Sequence, residues 1–302
     1  MKKAILPAVI SAALLATSAH AANLYDADGT SVALSGEVDG LYYAADDGSS
    51  TANSISSWAN AQLDISTKIS DSTTGMASFE IEATDGSEVK VDDAWVGISG
   101  DFGTFKLGET GSSYGILEKA ELANEGNDID LGDDNAGLAY ADGEGSGNSI
   151  RYQKTVGAVA LSANYFIDDS ADIEGFAVSA DYSADAFSIG AGYIDSGDDV
   201  TGLGVSASYE ADALFLAATY SINSQDDDSD NDFDTYAVSA SYAFEPASLY
   251  GSYQVNDGDN VDITNWYVGV SKDITANIYA FVEYNDQDSD TSLLSAGIYY
   301  SF

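Results

Sequence analysis

From Val32 onward the chain alternates apolar with small or polar residues in sixteen short segments, and the last of them, Thr291–Phe302, illustrates the pattern. Leu294, Ala296, Ile298, Tyr300 and Phe302 fall on one face, while Leu293, Ser295, Gly297, Tyr299 and Ser301 fall on the other. Strand side chains point alternately to opposite faces, so one face can meet lipid while the other meets water. The same alternation sets Tyr236, Val238, Ala240, Tyr242 and Phe244 against Thr235, Ala237, Ser239, Ser241 and Ala243. Many of the apolar runs finish on Tyr or Phe, as an aromatic girdle at a membrane interface requires.

Five strands are predicted before a long interruption: Val32–Tyr43, Ile55–Ile69, Gly75–Ala83, Val89–Gly100 and Thr104–Glu109. The rest run from Asn148–Thr155 to Thr291–Phe302 and bring the count to sixteen, an even number as bacterial single-chain barrels require. Short turns such as Ala184-Asp185-Ala186 and Glu245-Pro246-Ala247 alternate with longer acidic connections such as Asn223–Asp232 and Asp286–Asp290. That asymmetry predicts an all-β, transmembrane antiparallel barrel with its acidic loops facing outward. Thr110–Gly147 is far longer than any other connection, and a connection of that length is usually functional or disordered.

The first residues read as a secretory signal. Lys2 and Lys3 precede an apolar run from Ala4 to Leu15, and Ser18-Ala19-His20-Ala21 offers small residues for cleavage after Ala21. Residues 1–21 are therefore expected to be removed, leaving 22–302 as one barrel domain. The apolar run is shorter than the roughly 20 residues a spanning helix needs.

Charge narrows the function. Without Lys2 and Lys3, seven basic residues face 51 acidic ones, a net charge of −44. Nucleic acid is excluded as a partner because phosphate neutralisation needs clustered Lys and Arg. There is no Cys, and the single His lies in the signal, so neither thiolate nor His-activated Ser chemistry is available. No cofactor or specific metal is expected. The acidic run Asp226–Asp234 alternates carboxylates as a calcium loop does, but lacks its turn glycine and closing Glu. Trp58, Trp95 and Trp266 are scattered and read as interface anchors, not as an aromatic slide for sugars.

Two stretches carry a family resemblance: Leu24-Tyr25-Asp26-Ala27-Asp28-Gly29 leading into Gly36–Leu41, and Gly100-Asp101-Phe102-Gly103-Thr104-Phe105-Lys106-Leu107-Gly108 before the long connection. With the terminal Tyr299-Tyr300-Ser301-Phe302, they make the chain resemble the general diffusion porins of the Gram-negative outer membrane. The resemblance implies a sixteen-stranded barrel assembled as a homotrimer, with Thr110–Gly147 folded into the lumen as the third loop. The Pro-Glu-Phe-Gly-Gly stretch common in that loop is absent. Where family members place Lys and Arg on the wall facing it, the matching positions here are Glu37, Gln62 and Asp92.

Alternation assigns further inward positions. Gln62 and Asp64 oppose Ala61, Leu63 and Ile65; Glu80 and Glu82 oppose Phe79 and Ile81; Glu37 and Asp39 oppose Val38 and Tyr42. Either Asp92 or Asp93 faces inward, and Lys106 and Arg151 are the expected inward cations. Glu118, Glu121, Glu125 and Asp128 supply acid on the long loop. Taken together, these residues predict a water-filled, cation-preferring channel for small hydrophilic solutes, in contact with outer-membrane lipid and lipopolysaccharide. The alternative is a barrel whose acidic loops serve mainly for surface interaction, as adhesin or phage receptor.

Overall fold

The computed structural model describes residues 21–46, 51–84, 89–120, 149–168, 173–196, 200–225, 232–258, 262–287 and 291–302. Residues 1–20 of the expected signal and the loop acids Glu121, Glu125 and Asp128 lie outside the described residues. Among the described residues seventeen strands run in chain order. They are β1 Ala22–Ala27, β2 Thr30–Asp46, β3 Thr51–Ser70, β4 Thr73–Thr84, β5 Lys90–Gly100, β6 Gly103–Gly108, β7 Ser149–Val156, β8 Val159–Asp168 and β9 Ile173–Ala184. There follow β10 Phe187–Asp195, β11 Val200–Ala211, β12 Leu214–Gln225, β13 Phe233–Phe244, β14 Ala247–Gly258, β15 Asp262–Thr275, β16 Ile278–Gln287 and β17 Thr291–Ser301.

From β2 to β17 each strand pairs antiparallel with the next, and β17 pairs back onto β2, closing a ring of sixteen. Closure satisfies every ladder without an open edge, the condition for strands in lipid. The additional strand, β1, does not enlarge the ring. It pairs with Thr30–Leu34 at the start of β2, while β17 pairs with Glu37–Asp46 farther along. Between them Gly36 and Phe302 exchange two backbone hydrogen bonds of 3.0 and 2.9 Å, so β1 and β17 lie end to end against one neighbour. Alternation did not reveal β1 because it is short, exposed throughout and shifted in register between Asn23 and Tyr25.

Every connection at one end of the barrel is a two-residue turn, and the long connections all leave from the other end. Asp28 and Gly29 both take left-handed backbone angles, φ 56° and 76°, as the tight hairpin twist demands. Asp185 and Asp212 adopt φ of 51° and 52°, a conformation Asp tolerates better than most residues.

The outer face is apolar and banded with aromatics. Near the short turns Phe102, Phe105 and Tyr152 cluster with ring centres 6.2 and 4.6 Å apart, and Phe187 meets Tyr209 at 4.7 Å. Toward the long connections Phe176 packs beside Tyr193, Tyr220 beside Tyr236, and Trp266 beside Tyr284. Val178, Ile189, Val205, Val238, Val268 and Val282 fill the exposed band between. Two aromatic girdles flanking an apolar belt are what a bilayer imposes on a barrel.

Candidate functional site

The inner face is the polar complement of that belt. On β3 and β4, Gln62 Nε2 donates to Asp64 Oδ1 and to Ser78 Oγ, both at 3.1 Å, and Asn60 Nδ2 donates to Glu80 Oε1 at 2.5 Å. Lys90 Nζ sits 2.6 Å from Glu82 Oε1. On β2 the Asp39 carboxylate accepts the Trp58 backbone N–H at 2.7 Å, and Ser301 Oγ donates to Glu37 Oε2 at 2.7 Å. Glu37, Asp39, Gln62, Asp64, Glu80 and Glu82 thus share one wall formed by β2, β3 and β4.

Asp92 and Asp93 lie in a bulge. Phe79 pairs with Ala94 and Ile81 with Val91, so two residues of β5 oppose the single Glu80. Simple alternation cannot assign such a pair. Asp93 lies within electrostatic reach of Lys106, while the Asp92 side chain is outside the described residues.

Lys106 and Arg151 are directly opposed across β6 and β7. Lys106 is held with its ammonium 4.0 Å from the centre of the Trp95 ring. Arg151 donates from Nη1 to the Thr110 carbonyl at 2.7 Å and from Nε to Ser162 Oγ at 3.1 Å, and Glu118 acts on it electrostatically. Its guanidinium therefore ties the root of the long connection to the wall.

Two of the three tryptophans correct the sequence reading. Trp266 stands in the outer girdle, but Trp58 and Trp95 point inward. Trp58 donates its indole N–H to Glu82 Oε2 at 3.1 Å, and Trp95 carries Lys106. Their indoles are engaged with charged groups, which lipid could not supply.

The first part of the long connection crosses to the far wall on the inner side. Ser113 N–H donates to Asn164 Oδ1 at 2.8 Å, and a 3-10 helix follows over Tyr114–Ala120. With three residues per turn, Tyr114, Leu117 and Ala120 align on one side of this helix, and all three are buried. Wall hydroxyls catch its carbonyls: Ser206 Oγ donates to Ile116 O at 2.6 Å and Thr219 Oγ1 to Leu117 O at 2.5 Å. Lys119 forms an ion pair with Asp181 and also donates to Ser188 Oγ at 2.7 Å.

A seat of bare backbone makes this contact possible. A Cβ at Gly190 would stand 2.6 Å from Ile116, and one at Gly204 would stand 2.4 Å from Leu117. Gly192 and Gly202 leave the same kind of room beside Tyr114. Tyr114, Ile116 and Leu117 close a small core with Phe166, Ala177, Ile194 and Phe233. None of these glycines, nor Lys119, was singled out by sequence. The observable signal would have been the four glycines at alternate positions on two successive strands.

In the ring β11 stands eight strands from β3. The seated helix thus lies across the lumen from the acidic wall. A cavity of about 770 Å³ on the inner face touches both sides, with Asp64, Trp95, Ile116, Ser162 and Asp181 among its lining residues.

A closed barrel with an apolar, twice-girdled exterior and a polar interior defines the class: an outer-membrane-type barrel enclosing an aqueous lumen. A family model described as Gram-negative porin matches residues 8–292, and the chain belongs to that family. Outer membrane protein S2 of Salmonella typhi is 33% identical over 128 residues, 40% of this chain and 32% of that protein. Porin-like protein H of Photobacterium profundum is 34% identical over 145 residues, 48% of this chain and 42% of that protein. The matched stretches therefore span less than half the length of these relatives. Among solved structures, a Salmonella typhi OmpF complex with daunomycin superposes with a TM-score of 0.79 at 17% identity, over 93% of this chain and all (100%) of that chain. A loop-deletion mutant of OmpT from Vibrio cholerae gives 0.75 at 17% identity, over 91% of this chain and 100% of that chain.

Proposed function

We propose that the mature chain is a cation-preferring diffusion channel of the outer membrane, passing small hydrophilic solutes down their gradients. The observation that carries this reading is the acidic wall of Glu37, Asp39, Asp64, Glu80 and Glu82 opposite the seated helix. Like-signed carboxylates around a water-filled passage raise the local cation concentration and repel anions. Inward cations are already engaged: Lys106 by Trp95, Arg151 by the loop backbone, Lys119 by Asp181 and Lys90 by Glu82, whose charge it offsets. The loop acids Glu118, Glu121, Glu125 and Asp128 add to the same sign, and the long connection sets the narrowest section.

The test is the reversal potential of the purified protein in a planar bilayer across a potassium chloride gradient. It is expected to have the sign of potassium preference, strongest in dilute electrolyte. Chloride preference, or no conductance from correctly folded protein, would overturn the reading.

Three further parts belong to it. Cleavage after Ala21 delivers the chain across the inner membrane. Lipid meets the apolar belt, with lipopolysaccharide at the end of the acidic connections. The assembly is a homotrimer in contact through the outer faces of β2, β3 and β4, where Ala59, Ala61 and Ala77 are small enough for close packing. Gly36 is not an open notch in that surface, because a Cβ there would stand 2.7 Å from the Phe302 ring. Light scattering after mild detergent extraction is expected to give the mass of three chains; a monomer would refute the trimer.

A further inference from the structure

One row of inward side chains crosses five strands near the middle of β2. Cross-strand pairing sets Asp273 opposite Tyr279, Tyr279 opposite Tyr299, Tyr299 opposite Asp39 and Asp39 opposite Trp58. Directly opposed residues have Cβ atoms only about 4.5–5.5 Å apart, so these side chains form a continuous strip. Tyr279 and Tyr299 stack with ring centres 5.8 Å apart and planes 4° from parallel, and Phe281 lies 5.7 Å from Tyr299. Asp39 is 9% exposed between the Tyr299 and Trp58 positions and, as described, accepts the Trp58 backbone N–H. At the far side of Trp58 stands Glu82, which accepts the indole N–H on one oxygen and the Lys90 ammonium on the other.

Aromatic rings on both sides of a poorly hydrated carboxylate are the chemistry that recognises an ammonium ion with apolar substituents. The ring faces attract the positive charge, and they also cover carbon that water would have to hydrate. A carboxylate withdrawn from water attracts a cation more strongly than a solvated one. Potassium gains less here, because it carries no apolar surface to place on a ring. The Lys90 ammonium at Glu82 and the Lys106 ammonium on Trp95 are the protein's own examples of both contacts.

We propose that the Tyr279–Tyr299–Asp39–Trp58 strip is a binding subsite for organic ammonium ions bearing an apolar or aromatic group. The proposal rests on the lumen being the permeation path, and it narrows the solutes that linger there. Binding at the strip slows such a solute and interrupts the potassium current while the site is filled.

The experiment is open-channel block of the full mature protein in planar bilayers. Benzyltrimethylammonium is the probe, and benzyl alcohol is the neutral control. Wild type is expected to show concentration-dependent block by the ammonium and none by the alcohol. Tyr299→Leu should weaken the block by about three- to tenfold, the equivalent of one cation–π contact, and Tyr299→Phe should retain it. Asp39→Asn should weaken it further. Equal block by Tyr299→Leu and wild type, or equal block by ammonium and alcohol, would overturn the subsite. Trp58→Leu provides a second aromatic deletion should the Tyr299 variant fail to fold, with the same expected loss. The reversal potential in potassium chloride separates the two readings. Chloride preference would fail the channel reading, whereas cation preference with block insensitive to both ring deletions fails the subsite alone.

Discussion

Replacing Gly190 by Val is expected to raise single-channel conductance while leaving the barrel folded. A Cβ at this position would meet Ile116 at 2.6 Å, the Ser206 hydroxyl at 2.9 Å and Lys119 at 3.3 Å, all of them side-chain atoms. The obstruction therefore falls on the helix and its latch, not on the neighbouring backbone of β11. Val also suits a strand better than Gly, so the wall itself is not weakened. Overpacking of this kind costs about 1–3 kcal/mol, enough to compete with the wall hydroxyls and the ion pair that latch this seven-residue helix. The deciding pair of measurements is conductance in a planar bilayer and circular dichroism in detergent. Unchanged conductance with an intact β spectrum would show that the seated segment does not set the narrow section. Deleting Glu121–Asp134 approaches the same question from the rest of the connection and should change conductance in the same direction.

Neutralising Glu37, Asp64 and Glu80 together is expected to produce the largest loss of potassium-over-chloride preference. Glu37→Gln, Asp64→Asn and Glu80→Gln preserve shape and an acceptor oxygen for Ser301, Gln62 and Asn60, so the wall stays hydrogen-bonded. Only the charge is removed. The wild-type preference itself should fade with salt, since the screening length shrinks from about 10 Å at 0.1 M to about 3 Å at 1 M. Wild type and variant should therefore differ most in dilute potassium chloride and converge in concentrated solution. A variant with undiminished selectivity at low salt would show that these three acids do not set the field.

How far the sequence was legible depended on whether a feature was written in period two. Phe79 and Ile81 against Glu80 and Glu82 announce their faces, because lipid and water select opposite chemistry at successive positions. That logic yields the sixteen-stranded ring and the acidic inward row. It blurs where the interior is itself apolar. Leu41, Phe166, Ile194 and Phe281 are buried on the inner face, packed on other side chains inside the barrel. It fails at Asp92 and Asp93, where the bulge places two residues against one. The seat of the 3-10 helix was least legible. Lys119 and Asp181 are separated by 62 positions, and a glycine in a strand declares neither which ring nor which methyl will occupy the space above it. Trp58 and Trp95 were misread for a related reason: the preference of Trp for membrane interfaces is an average, overridden when a carboxylate or ammonium waits on the other face.

The seam between β2 and β17 has a consequence for how the molecule comes into being. Ser301 and Glu37, hydrogen-bonded partners there, are 264 positions apart. The entropy of bringing such distant segments together must be met before their ladder returns anything, so this pairing belongs late in folding. Until it forms, β2 and β17 are both open edges, each with a row of unpaired backbone groups able to recruit another chain. The hairpins between can grow from two-residue turns without that delay. The interval between the first hairpin and the final lock is thus the aggregation-exposed part of the protein's life, and a factor that shields either edge during it would protect the whole chain.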